Sequence, residues 1–278
     1  MNTIQILPEK TGGLRLYTLL TGLLMILLLI TAGAGLFGGN IYSDFMPAKY
    51  VQESRAQDLI TLTLGIPLLV IALYGARRDY AWGVPLWTGV LAYELYIYAI
   101  YAAGAVYNDY FLGYVVVASL SMYAVIGLLS SVNAERLQQA AQDSLPRRWI
   151  GGFFLMIVVV FAMIWIGEVM NAISVGIEPS GHLIFVFDLG IVLPAFAIAA
   201  VKLFRKQAFG DLLAGMLLIK FVSLCVSITL GQVFRSSHGI VVESQLLSVF
   251  IPLGLIGSGL SAVYFRQLVR EHSTNSGD

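Results

Sequence analysis

Charge is what this chain of 278 residues has least of. Lys, Arg, Asp and Glu make up 12% of it, where a soluble domain carries about 25%, so an ordinary solvated surface cannot be built. The sixteen basic and sixteen acidic residues cancel. Without a basic surplus a nucleic-acid partner is excluded, because phosphates need one. Cysteine is almost missing: Cys225 alone, inside an apolar run, permits no intrachain disulfide and no CxxC redox pair. The three histidines lie outside the apolar runs, so they offer no haem ligands and no metal-ligand spacing. Walker-type and GxSxG motifs are absent, and nothing in the sequence asks for a cofactor or a metal.

What is abundant is apolar: 58% of residues are hydrophobic. They fall into eight runs, 16–37, 59–76, 82–106, 111–132, 149–171, 183–201, 212–234 and 246–265, most near the roughly 20 residues a membrane helix needs. The fold class expected is an all-α integral membrane protein of eight transmembrane helices, with the lipid bilayer as its surroundings. Pro67, Pro194 and Pro252 predict kinks in the second, sixth and eighth runs. Ala32-Gly33-Ala34 after the first run resembles a signal cleavage site. About 22 uncharged residues is long for a signal core, so a retained helix is expected.

Lysine and arginine set the expected sidedness. With the N-terminus inside, the inner segments hold Lys10, Arg15, Arg77, Arg78, Arg136, Arg147, Arg148, Lys202, Arg205, Lys206, Arg266 and Arg270. The outer ones hold Lys49, Arg55 and Arg235. This asymmetry places both termini in the cytoplasm.

Two turns look alike. Arg77-Arg78-Asp79-Tyr80-Ala81-Trp82-Gly83 follows the second run, and Phe204-Arg205-Lys206-Gln207-Ala208-Phe209-Gly210 follows the sixth. Asp58-Leu59 with Pro67 parallels Asp188-Leu189 with Pro194, at spacings that differ by three residues. The expected organisation is two parallel four-helix repeats, 1–134 and 149–278, joined by a cytoplasmic linker at 135–148.

Two charges stand deep in apolar runs. Glu94 lies twelve residues beyond Trp82 and Lys220 eleven beyond Phe209, which predicts equal depth near the middle of the bilayer. Such charges are costly, by roughly 2.5–3.5 kcal/mol on insertion scales, and are usually paired. Glu94 shares a face with Tyr98 and Tyr101, and Lys220 heads a stripe with Ser223, Ser227 and Gly231. Three readings stay open: a charge-switching or binding centre, a tie between the two halves, or two charges that never meet. Outside lie Asp44, Glu53, Asp58, Asp109, Glu168, Glu178, Asp188 and Glu243. Asp58, Glu168 and Asp188, at or inside helix ends, form a candidate acidic outer mouth that would concentrate cations.

Gln57-Asp58 with Leu64-Gly65-Ile66-Pro67, the block Leu91-Ala92-Tyr93, Tyr96, Tyr98, Tyr101, Asn108, Tyr114, Ser121 and Tyr123, and Asp188-Leu189, Pro194 and Leu218-Ile219-Lys220 span about half of the chain. In them the chain resembles a widespread family of uncharacterised multi-pass bacterial membrane proteins. The resemblance implies eight helices in the bacterial inner membrane and supplies no activity. It also implies an apolar residue where this chain has Glu94, which leaves Lys220 to meet another acid such as Asp58, Glu168 or Asp188.

Three functions stay open: a transporter of a small solute or ion, an intramembrane enzyme acting on a lipid or isoprenoid, and a scaffold. Gly254, Gly257 and Gly259 would let another helix approach closely, and an oligomer is compatible with the sequence.

Overall fold

The computed structural model describes residues 13–39, 41–104, 106–141, 145–177, 179 and 181–275. Lys10, Glu178 and part of the linker at 142–144 lie outside the described residues, as does the side chain of Arg270. Among the described residues there are nine helices and no strand. They are α1 Gly13–Phe37, α2 Ala48–Arg77, α3 Gly83–Ala103, α4 Phe111–Ser131, α5 Ala134–Ala141, α6 Arg147–Val175, α7 His182–Phe204, α8 Ala208–Ser237 and α9 Ser244–Asn275.

Seven of them, α1, α2, α4, α6, α7, α8 and α9, are long and apolar enough to cross a membrane. Helix α3 has 21 residues, about 31 Å at 1.5 Å each, and so has the length. Its tyrosines and Glu94 keep it below the apolarity of the others. The reason is position: 15 of its 21 residues are buried, so it needs no lipid-facing stripe. By contrast Leu19, Ile26, Met163, Ile166, Leu255 and Val263 leave large apolar side chains on the outside of α1, α6 and α9.

Helix α2 is longer than the short run 59–76 predicts. Its polar first turns carry Gln52, Ser54, Gln57 and Asp58, all buried against protein rather than lipid. Tertiary packing extends the helix where apolarity alone stops. The linker is also partly helical, with Leu137 and Ala141 of α5 buried under the base of α8 and α9.

Close approaches at glycine fix the packing. Gly113 and Gly127 of α4 meet Thr31 and Tyr17 of α1, so these helices are antiparallel. Gly151 of α6 faces Phe204 of α7, and Gly254 and Gly257 of α9 face Cys225 and Val222 of α8, again antiparallel. Two of the three glycines that seemed free to receive another helix are therefore used within the chain. Helices α3 and α8 run parallel through the centre. A Cβ on Gly89 would stand 2.6 Å from Cβ of Ile219, and one on Gly215 would stand 2.6 Å from Cβ of Pro85. This register sets Lys220 level with Val90, about one turn (roughly 6 Å) below Glu94, rather than at the equal depth expected.

Both α2 and α7 widen into a π-helix, at Thr61–Gly65 and Asp188–Val192. In each, an N–H bonds five residues back, Ile66 to Thr61 and Leu193 to Asp188. A proline stands at the second position after each, Pro67 and Pro194. Proline lacks an N–H and crowds the carbonyl four residues earlier, so a wider turn before it relieves the clash. Pro252 sits inside α9 without such a turn.

The two π-helices lie 127 residues apart, as do the prolines and the following turns. Asp79 and Lys206, in those turns, have φ of 58° and 51°, and Tyr80 and Gln207 donate to carbonyls five residues back, Gly75 and Lys202. Gly83 and Gly210 then press on the backbone of Gly75-Ala76 and Lys202-Leu203, where a Cβ has no room. At this spacing Thr61, not Asp58, stands in the place of Asp188, which corrects the match drawn from Asp-Leu by three residues.

Leucine at Gly89 or Gly215 should push α3 and α8 apart and destabilise the protein by about 1–3 kcal/mol. Leucine at Gly167, which has nothing within 4 Å, should be neutral. Thermal unfolding in detergent of the three variants checks the order.

Candidate functional site

Buried polar residues gather around each of the two π-helices, and the expected Glu94–Lys220 pair is not among the contacts they make. Among the described residues no ion pair joins the two. The register of α3 on α8 is the reason: the two groups are a turn apart and turn toward different helices.

Lys220 is 3% exposed and Glu94 is fully buried. The Lys220 ammonium lies 3.9 Å from the centre of the Tyr96 ring on α3 and within the field of the Asp188 carboxylate on α7, with no ion pair within 4 Å joining the two among the described residues. A cation over an aromatic face is worth about 2 kcal/mol or more when desolvated. Asp188, 8% exposed, accepts a 2.9 Å hydrogen bond at Oδ2 from Trp165 Nε1 of α6. Its Oδ1 is buried without a hydrogen-bond partner, and the Tyr96 hydroxyl stands near the carboxylate. Three helices thus converge on Lys220. Asp188 begins the π-helix of α7, so the widened turn sets its direction.

Glu94 faces α2. Its Oε2 accepts from Thr61 Oγ1 at 3.2 Å, and its Oε1 packs against Gly65 without a hydrogen-bond partner. Thr61 and Gly65 begin and end the other π-helix. Only glycine at 65 leaves room for the carboxyl group.

One turn before Thr61, Asp58 is buried in the N-terminal half of α2. Tyr42, in the loop before α2, donates to its Oδ2 at 2.7 Å. Burial above all, then Tyr101 and Asp58, pushes the Tyr42 phenol far above its ordinary range, so it donates as a neutral group. Tyr98 pairs with Thr31 at 3.0 Å, while Tyr101 has no hydroxyl partner under the same geometry. The rings of Tyr42, Tyr98, Tyr101 and Tyr114 stack at 5.4–6.1 Å.

The serine stripe of α8 packs on α2. Ser227 donates to Gln57 Oε1, and Gln57 donates to the Tyr93 hydroxyl, a chain that joins α8, α2 and α3. Gly231 lies against Glu53, and Ser223 is buried on the same side of α8. The stripe is a seam between the halves.

The outer mouth does not assemble as expected. Glu168 is exposed. Twenty-one residues beyond Arg147, it sits about 32 Å along α6, near the end of a membrane-length helix. Asp58 and Asp188 are inside the protein, one in each polar group. What closes this end is Arg235, which reaches Glu53 and Glu243 at 2.9 Å each and the Val241 carbonyl at 2.6 Å. At the other end Arg147 grips the buried Asp211 through two 2.8 Å bonds, and Gln138 of α5 adds a third at 3.2 Å.

Tyr96, Trp165, Gln57 and Tyr42 escape a reading of sequence alone. Tyr96 hides in a tyrosine-rich run, and Gln57 beside Asp58 is the one signal that α2 continues polar into the protein.

Leucine at Gln57 should strand both the Tyr93 and the Ser227 hydroxyl groups and cost about 1–3 kcal/mol. Alanine at Ser227 should cost less, since Gln57 keeps Tyr93. Unfolding midpoints in the reverse order would remove Gln57 from the centre of the seam. No family model, curated protein or solved structure matches the chain, so function is argued from these residues.

Proposed function

We propose that this is a transporter of a small solute or ion, coupled to protons, with Asp188 and Lys220 as its charge-switching centre. The observation that carries the reading is Lys220 itself: a cation sealed inside the bundle over the Tyr96 ring, within the field of a carboxylate that begins a π-helix. Ionisable groups inside membrane helices mark ion and proton pathways more often than they support the fold. A π-helix supplies a turn whose hydrogen bonds can shift between registers.

We further infer that α3 crosses the membrane with the seven apolar helices, making eight spans. Its length, its place between α2, α4 and α8, and its parallel contact with α8 support this. The matched π-helices, prolines and left-handed turns support two parallel repeats, 127 residues apart. The excess of lysine and arginine at the α3 and α8 starts supports cytoplasmic termini in a bacterial inner membrane. Arg147–Asp211 would then close the inner side and Arg235–Glu53 the outer side.

A scaffold reading draws on the Ser227–Gln57–Tyr93 seam, where buried polar groups tie the halves together. The two readings separate in one experiment. The protein is reconstituted in proteoliposomes, and flux is followed across a panel of solutes and ions with an imposed proton gradient. Lys220→Met with Asp188→Asn removes both charges together, so the fold is expected to persist while flux falls by at least tenfold. A folded double variant with wild-type flux would leave only the structural role.

A further inference from the structure

We propose that Asp58 and Glu94 form a coupled carboxyl pair in the first half that binds one proton, a site separate from Asp188 and Lys220. Both are buried, on α2 and α3, and they lie within electrostatic reach of each other. Thr61, which donates to Glu94, is one turn from Asp58 on the same helix, so the two carboxyl groups share a face of α2.

The surroundings supply hydrogen-bond donors and little positive charge. Asp58 receives Tyr42, and Glu94 receives Thr61. Tyr93, Tyr98 and Tyr101 of α3 and Tyr114 of α4 complete the titratable groups around the pair. The nearby cation is Arg55 on α2, half-buried, which donates to the Gly39 carbonyl at 2.7 Å and acts on Asp58 only through its field. Lys220 belongs to the other group. The unpartnered Glu94 Oε1, fully buried, is the second and independent sign. Two buried carboxylates within each other's field resist ionising together, so between them they keep one proton.

The ligand is therefore a proton, and the Thr61–Gly65 π-helix is the element that would sense it. Losing the proton leaves two negative charges on either side of Thr61. Pairing them again requires a cation or movement of α2 against α3. The site gives the first half an ionisable centre at the π-helix matching that of Asp188, built from a different residue set.

The test reads the proton itself and no transport. Infrared spectra of reconstituted protein are recorded over a pH series for wild type, Asp58→Asn, Glu94→Gln and Thr61→Val. Wild type is expected to show the carbonyl band of a protonated carboxyl group at neutral pH, fading as pH rises. With its charged neighbour gone, the acid left in Asp58→Asn or Glu94→Gln should lose its proton at lower pH, by at least tenfold in proton affinity. Thr61→Val should move the band to higher frequency, because the Glu94 carbonyl loses a donor. A band that neither amide variant alters, or an unshifted titration of the remaining acid, overturns the pair. Asp188→Asn, recorded alongside, should leave the band of this pair in place.

Discussion

An ammonium group that water cannot reach must be solvated by protein, and Lys220 sets that demand at the centre of this molecule. The face of Tyr96 meets it at 3.9 Å, and the carboxylate of Asp188 adds its field. Each comes from a different helix, so α3, α7 and α8 cannot separate without exposing the charge to lipid. The geometry of the second half follows from this arrangement, including the direction of Asp188 out of its widened turn and the Trp165 bond that holds it.

The first half solves a similar problem without a lysine. At the start of its π-helix stands Thr61, and the carboxyl group facing it comes from Glu94. Both halves put a π-helix, a proline and an ionisable partner on the next helix, yet the residues are exchanged. The paired glycines at Gly89 and Gly215 let the two central helices touch, and the Gln57 chain joins the halves again nearer Arg235. Ion pairs at both ends, Arg147 with Asp211 and Arg235 with Glu53, seal the same bundle from above and below.

Apolar runs show in the sequence because lipid demands them, so seven membrane helices and the importance of Lys220 are legible there. Helix α3, which falls outside those seven, shows a tyrosine-rich run whose burial only tertiary packing explains. Glu94 and Lys220 read as partners because depth was counted along each helix from its own start. The helix register at Gly89 and Ile219 differs from that count by about a turn, and no residue pattern reveals it. Asp58 and Asp188 matched by their Asp-Leu dipeptides, whereas the backbone matches Thr61 with Asp188 through the prolines. A π-helix has no pattern of its own in the sequence except the proline that follows it.

The most direct test of the central interaction is a double-mutant cycle. Unfolding free energies are measured in mixed micelles for wild type, Lys220→Met, Asp188→Asn and the double variant. If Asp188 holds the Lys220 charge, the single changes are not additive and the coupling is about 2 kcal/mol or more, in the upper part of the range for contacting residues. Additivity within about 0.5 kcal/mol, the behaviour of distant sites, would contradict the account.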